Sequence, residues 1–167
     1  MEIRIDPKMS FGTGHHETTY LMAAWLLDIA LENKKLLDMG CGTGVLGILA
    51  ARSGARDVLA ADIDPVCIEN TLENAALNKV SLRCSLSDIG ALQEEGFDLI
   101  AANINRNVLL EHIPFYCRKL DPGGTLLVSG FYEGPDLEAI REKAEGSGLR
   151  YEGSRSRNGW AAAKFYK

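Results

Sequence analysis

Residues 36–47 read LLDMGCGTGVLG, and the glycines of this stretch fit two nucleotide-binding patterns. Gly42, Gly44 and Gly47 spell G-x-G-x-x-G, which is typical of the turn that holds a dinucleotide pyrophosphate. Counted from Asp38, the same stretch spells D-x-G-x-G-x-G, which is typical of a loop that binds S-adenosylmethionine. Both patterns predict a nucleotide, but the chemistry is hydride transfer in one case and methyl transfer in the other.

Length, composition and charge limit the kinds of protein this chain can be. It has 167 residues, enough for one domain with an ordinary core, with 46% hydrophobic and 25% charged residues and a net charge of −5. A negative charge disfavours nucleic acid or an anionic membrane as the main partner and suits a basic target. Because no apolar run approaches ~20 residues and the start lacks a signal-peptide pattern, we expect a cytoplasmic protein.

The four cysteines are widely spaced and include no C-x-x-C pair. This spacing favours free thiols in a reducing cytosol over a zinc site or a disulfide framework.

Short apolar runs alternate with helical patterns through most of the chain. The predicted strands are residues 35–39, 57–61, 80–84, 97–102 and 125–130. Helices are predicted before the first strand, at 45–52 and 65–77, and after the fourth and fifth strands. Such alternation predicts a mostly parallel sheet with helices on both faces.

The end of the chain departs from this alternation. Strands are predicted at 149–152 and 160–165 with only a polar loop, 153–159, between them. Since that loop is too short for a parallel crossover, the two strands should be antiparallel neighbours. The sequence therefore predicts an α/β, Rossmann-like sheet of seven strands, mostly parallel, with a reversed last strand.

Polar side chains lie at, or within a few residues after, the carboxyl ends of the first four predicted strands: Asp38, Asp62, Asp88 and Asn103. In a parallel sheet these ends border the ligand site, and three carboxylates are unsuited to a pyrophosphate. They are suited to the ammonium, sulfonium and ribose hydroxyls of S-adenosylmethionine. Asp62, 20 positions after Gly42, fits either pattern, whereas Asp38 replaces the apolar residue usual in a dinucleotide loop. The methyl-transfer interpretation is favoured.

Several motifs resemble class I methyltransferases: DMGCGTG, AADIDP, the LDPGG turn and the reversed last strand. FGTGHHETT at 11–19 and AANINRNVL at 101–109 resemble the PrmA family, the methyltransferases of ribosomal protein L11, and the similarity covers nearly the whole chain. The resemblance implies an enzyme that uses S-adenosylmethionine to methylate lysine side chains and the N-terminal amine of that protein. The family carries a separate N-terminal recognition domain, so 1–167 is expected to be a single catalytic domain without it.

The resemblance also implies roles for residues at the methionine end of the cofactor. Gly40 and Gly42 would let the backbone approach the methionine part, and Asp38 would receive the α-ammonium directly or through water. Thr19 would lie beside the cofactor where the first helix begins.

At the other end, Asp62 would accept from both ribose hydroxyls, Ile63 would pack on the adenine face, and Asp88 would lie near the adenine amine. Asn103 is expected to contact the cofactor and to hold the target amine as the catalytic residue. Here N-I-N replaces the N-P-P-Y of many nitrogen methyltransferases, so the way the amine is held stays open.

A loop before the first helix is predicted to cover the methionine end of the cofactor as a lid, with flexible points at its glycines. It comprises Phe11, Gly12, Thr13, Gly14 and His15. Adjacent histidines at a helix start point to different sides, and neither H-x-x-x-H nor H-E-x-x-H is present, so no metal site is predicted. The remaining alternative is a segment that only caps the helix.

Other interpretations stay open at this stage. Asp88 and Asn103 can be turn residues, and Trp25 and Trp160 are most simply core residues. The target is expected to be a basic ribosomal protein, without direct nucleic-acid or membrane contact, and the chain is expected to be a monomer. The alternatives are methylation of RNA or of a small molecule, and a module that binds the cofactor without activity.

Overall fold

The computed structural model describes residues 1–9 and 16–167, and the elements alternate as the sequence predicts. The helices are α1 (Glu17–Leu27), α2 (Val45–Arg52), α3 (Pro65–Leu77), α4 (Arg106–Lys119) and α5 (Pro135–Gly146). The strands are β1 (Lys35–Met39), β2 (Asp57–Asp62), β3 (Arg83–Leu86), β4 (Phe97–Asn103), β5 (Leu120–Tyr132), β6 (Arg150–Arg157) and β7 (Trp160–Tyr166).

All seven strands join one sheet in the order β3-β2-β1-β4-β5-β7-β6. Neighbours among β1 to β5 are parallel, and β7 is antiparallel to both β5 and β6. The predicted fold class, including the reversed last strand, is confirmed.

Both faces of the sheet are buried, as expected where helices cover a parallel sheet. Adjacent residues of β1 show this, since Leu36 packs in the core that includes α1 and α2 while Leu37 packs in the core that includes α4 and α5. Both side chains are fully buried. Within the described ranges, no helix is both long enough and apolar enough to span a membrane.

The third strand begins later than the predicted residue 80. Lys79 adopts φ +56°, its N–H donates to Ala76 O, and the N–H of Val80 donates to Ala75 O. These two bonds form a Schellman motif that ends α3. Because Val80 is held by the helix end, pairing with β2 starts only at Arg83.

The prediction of a loop at 153–159 is wrong, because residues 153–157 belong to a strand. β6 runs to Arg157, which pairs with Trp160, and only Asn158 and Gly159 connect the two strands. Their φ angles are +50° and +84°. Asn-Gly with two positive φ angles is typical of a two-residue hairpin turn, a signal already present in the sequence.

The fifth strand is also longer than predicted. It starts at Leu120, opposite Phe97, and residues 121–124 then interrupt the ladder before Thr125 pairs with Leu99. The predicted turn is therefore an irregularity inside a strand, which continues to Tyr132.

Candidate functional site

A cavity of about 590 Å³ opens at the carboxyl ends of the parallel strands. It lies where strand order reverses, because β1 leads to β2 on one side and borders β4 on the other. Seven residues predicted from the sequence line this one cavity: Thr19, Asp38, Gly40, Gly42, Asp62, Ile63 and Asn103. Residues from β1, β2, β4 and α1, far apart in sequence, thus meet at one site.

The glycine loop after β1 is held against β2. The N–H groups of Gly40 and Cys41 both donate to Ala61 O, over 2.8 and 3.0 Å. Gly40 has φ +74°, and a Cβ there would lie 2.5 Å from Cγ2 of Ile104. A side chain at position 40 is therefore excluded both by the positive φ angle and by the side chain of Ile104.

Asp38 is almost fully buried, at 2% exposure, beneath the glycine loop. Its Oδ2 accepts from the N–H of Gly47 over 2.9 Å. Burial raises the pKa of the Asp38 carboxyl to about 7; the bond from Gly47 opposes this rise and the charge of Asp62 adds to it. A cationic group bound in the cavity would stabilise the ionised form of this carboxyl.

Asp62 ends β2 and connects two backbone segments. Its Oδ2 accepts from the N–H of Gly42 over 3.1 Å, and its Oδ1 accepts from the N–H of Asp64 over 3.0 Å. These bonds fix the carboxylate, and lone pairs remain for hydroxyl donors in the cavity. Next to it, Ile63 lines the cavity although its side chain is 73% exposed, so an apolar surface is available for a flat ligand group.

Asn103 lies at the end of β4, which borders β1 on the side away from β2. Its Nδ2 donates to Oγ1 of Thr19 over 3.4 Å, which joins β4 to the start of α1. The chain then turns at Ile104, whose N–H donates to Ser129 O. Gly130 permits this turn, because a Cβ there would lie 1.9 Å from the carbonyl oxygen of Ile104.

Asp88 differs from the seven predicted residues that line the cavity. Its side chain is exposed and is not among the lining residues, and Oδ1 accepts from the N–H of Ala91 over 2.8 Å. This bond is the turn-capping role that the sequence left open. The predicted lid, Phe11 to His15, lies outside the described residues.

Sequence reasoning missed two aromatic contributors to the cavity wall, His112 and Trp160. Burial lowers the pKa of the half-buried His112 ring, and its Nδ1 lies 3.1 Å from the hydroxyl of Tyr116. Trp160, which the sequence assigned to the core, is only partly buried. Its ring centroid lies 4.2 Å from that of Tyr132 and 4.8 Å from that of His16, with the His16 and Trp160 rings in a T-shaped arrangement. No local pattern signals either residue, since the final hairpin and α4 deliver them from distant parts of the chain.

The described part of the cavity wall carries acidic side chains without lysine or arginine. Among the lining residues that the structure describes, three are carboxylic acids, Asp38, Asp62 and Asp64, and none is a lysine or arginine. A phosphate would find no cationic side chain there, whereas an ammonium or hydroxyl donor would find several acceptors.

The sheet order, the reversed last strand and the acid-bordered glycine loop define the class I methyltransferase fold. In agreement, a crystal structure of ribosomal protein L11 methylase from Lactobacillus delbrueckii subsp. bulgaricus superposes with a TM-score of 0.92. That chain is 30% identical, and the match covers 99% of this chain and 84% of the other.

The chain belongs to the ribosomal protein L11 methyltransferase (PrmA) family, whose model matches residues 1–167. A ribosomal protein L11 methyltransferase of Porphyromonas gingivalis is 52% identical over 167 residues, covering 99% of this chain and 57% of that protein. One from Phocaeicola vulgatus is 48% identical over 166 residues, covering 98% of this chain and 59% of that protein. The chain thus spans less than two thirds of the length of these curated relatives.

Proposed function

We propose that this chain is an S-adenosylmethionine-dependent protein N-methyltransferase that acts on lysine side chains and the N-terminal amine of ribosomal protein L11. The observation that carries the proposal is the acid-lined cavity, with Asn103 in its wall and no lysine or arginine among its described lining residues. Family membership supplies the reaction class and the target.

The side chains that line the cavity fit S-adenosylmethionine along its length. Asp38 would neutralise the α-ammonium, and the fixed carboxylate of Asp62 would accept from the ribose hydroxyls. Ile63 offers an exposed apolar side chain for the adenine face. Asp88, two residues after β3, is proposed to accept from the adenine amine with a lone pair that its turn-capping bond leaves available.

The proposed reaction needs no covalent bond between the protein and the substrate, so the main task of the protein is to bind and orient the reactants. When bound, S-adenosylmethionine supplies an electrophilic methyl group: a new nitrogen–carbon bond forms as the carbon–sulfur bond breaks, and the electron pair of that bond stays on sulfur. Asn103, joined to Thr19 by a hydrogen bond, would orient the target nitrogen. Proximity and orientation of this kind contribute about 7–11 kcal/mol to a bimolecular reaction.

The target amine must lose a proton before it attacks, because a free lysine has a pKa of about 10.4. Desolvation in a cavity walled by Trp160, Ile104 and Val108 favours the neutral amine, and so does the positive charge of the bound cofactor. We therefore assign no general base. The amine releases its proton to solvent as it enters the cavity and loses its hydration.

The partner is proposed to be a basic protein. The chain is proposed to act as a monomer and to make no direct contact with nucleic acid. The net charge of −5 supports this choice, since it attracts a basic ribosomal protein and repels RNA.

Transfer of a radiolabelled methyl group tests the proposal. The chain is incubated with labelled S-adenosylmethionine and either purified ribosomal protein L11 or protein-free ribosomal RNA. Label on lysines or the N-terminus of the protein is the expected result. Label confined to RNA would replace the proposal with RNA methylation, and cofactor binding without label on either acceptor would leave only a binding module.

A further inference from the structure

Three asparagines lie along one face of α3 and its C-terminal cap: Asn70, Asn74 and Asn78. Their side chains are buried, with 0, 0 and 5% exposure. Fully buried asparagines need partners for their amide groups. Here the partners include backbone groups of residues 4–8, and we call the three asparagines the asparagine ladder.

Residues 4–8 run antiparallel to α3, and alternate residues bind successive asparagines. The side-chain oxygens of Asn78, Asn74 and Asn70 accept from the N–H groups of Arg4, Asp6 and Lys8, over 2.8, 2.9 and 3.3 Å. In return, Asn78 Nδ2 donates to Arg4 O over 2.7 Å, and both Asn70 and Asn74 donate to Asp6 O, over 2.7 and 3.3 Å.

The spacing of the ladder explains why these partners match. Four residues of an α-helix rise about 6 Å. Two residues of an extended strand advance about 6.8 Å. Asparagines at i, i+4 and i+8 therefore offer an amide at each alternate residue of an extended segment, much as a neighbouring strand would.

Asn74 also reaches the glycine loop. Its Nδ2 donates to Thr43 O over 2.9 Å, in addition to its bonds with Asp6. One turn earlier, Oγ1 of Thr71 donates to Gly42 O over 3.1 Å. Both N–H groups and the oxygen of the Asn74 side chain are thus engaged, and one amide joins residues 4–8 to the loop that borders the cavity.

We propose that Asn74 is a positioning residue for the cofactor loop, and that docking of residues 4–8 on the asparagine ladder strengthens cofactor binding. The inference rests on the proposed cofactor site. Without the N–H of Asp6, the buried Asn74 oxygen has lost its partner, and the amide must turn to recover one. That turn releases Thr43 O, so the loop no longer holds the geometry that receives the ligand.

A pair of variants isolates this coupling. Asp6→Pro removes the N–H that binds Asn74 and keeps the carbonyl, while Asp6→Ala keeps both groups and removes the same carboxylate. The Asp6 side chain is exposed, so neither change disturbs the core. We expect Asp6→Pro to bind S-adenosylhomocysteine roughly three- to tenfold more weakly than Asp6→Ala by calorimetry, as follows from losing one partner of a buried group.

Coupling is reciprocal, which provides a second measurement that needs no variant. Addition of S-adenosylhomocysteine to the unchanged chain should slow hydrogen exchange at the amides of Arg4, Asp6 and Lys8. Equal affinities of the two variants, or exchange at these amides that the ligand leaves unchanged, would overturn the inference while leaving the proposed function intact. If the unchanged chain fails to bind the ligand at all, the proposed function is overturned and the inference with it.

Discussion

The backbone N–H of Gly42 donates to Oδ2 of Asp62 over 3.1 Å, and this bond joins the glycine loop after β1 to the end of β2. The two residues lie 20 positions apart, and both line the cavity. Asp62 therefore has two proposed tasks, to hold the loop and to receive the ribose hydroxyls.

Asp62→Ala should weaken binding of S-adenosylhomocysteine by roughly 2–4 kcal/mol, because charge-assisted hydrogen bonds to the ligand are lost and water replaces them only in part. The unpaired N–H of Gly42 adds to the loss. Calorimetric titration measures the change. Asp57→Ala, at the other end of the same strand, is the matched control and should leave the affinity near that of the unchanged chain. A folded Asp62→Ala protein with unaltered affinity would reduce Asp62 to a turn residue.

Cofactor affinity should depend on pH through Asp38. The pKa of this carboxyl is raised to about 7 in the free protein, so it is largely protonated at pH 5.5 and largely ionised at pH 8. A bound α-ammonium favours the ionised form, and binding then releases a proton. Affinity should therefore rise from pH 5.5 to about 7, by at most about tenfold per unit, and level off above.

Asp38→Asn is the control for that profile, because the amide oxygen can still accept from Gly47 but no longer titrates. Its affinity for S-adenosylhomocysteine should be weaker and flat across the same range. A profile with the same slope in both proteins would assign the pH dependence to another group, such as His112.

The same pKa shift has a consequence for stability. A carboxyl whose folded pKa lies above its unfolded value stabilises the folded state fully below pH 3.8, and this contribution is lost as the pH rises through about 7. Between pH 6 and 8 the free energy of unfolding of the ligand-free chain should fall more than that of Asp38→Asn. Urea denaturation at the two pH values measures the difference, and parallel changes in both proteins would contradict it.

Asn103→Ala should reduce kcat more than cofactor affinity, since its amide is proposed to orient the target nitrogen. A misplaced amine costs on the order of a hundredfold in rate. Methyl transfer to ribosomal protein L11 at saturating cofactor provides the measurement. Asn107→Ala removes an exposed amide outside the lining residues and should retain activity. Equal activity of the two variants would remove Asn103 from the catalytic role.

The hairpin turn gives a test of the fold. Gly159 has φ +84°, and nothing lies within 4 Å of a Cβ built on it, so Gly159→Ala should cost about 1–2 kcal/mol through backbone conformation alone. Gly153→Ala is the control, because that position is also open but lacks a positive φ. Its stability should change by less than about 0.5 kcal/mol in urea denaturation. Similar values for the two variants would contradict the turn assignment.

The sequence predicted the order of elements well because burial on both faces makes the central strands continuous apolar runs, as at 99–102. It failed at boundaries that are decided by backbone hydrogen bonds. Val80 looks like a strand residue, yet the cap of α3 holds it. The strand 153–157 is polar because it lies at the sheet edge, where side chains meet solvent.

Prediction of the site residues succeeded only where a local sequence pattern marked the residue. Asp38, Asp62 and Asn103 could be found because each ends a predicted strand, and all such ends meet at one edge of a parallel sheet. Trp160 and His112 reach the cavity from a hairpin and from within a helix. The asparagine ladder pairs residues 62 to 74 positions apart through side-chain amides, and no sequence periodicity reports such a contact.

The central claim, that this cavity receives S-adenosylmethionine rather than a dinucleotide, is tested most directly by isothermal titration with S-adenosylhomocysteine and NAD in parallel. The acid-lined wall, without a lysine or arginine among its described residues, predicts clear binding of S-adenosylhomocysteine and no measurable binding of NAD. Preferential binding of NAD would contradict the account, because the glycine loop would then hold a pyrophosphate and the chemistry would not be methyl transfer.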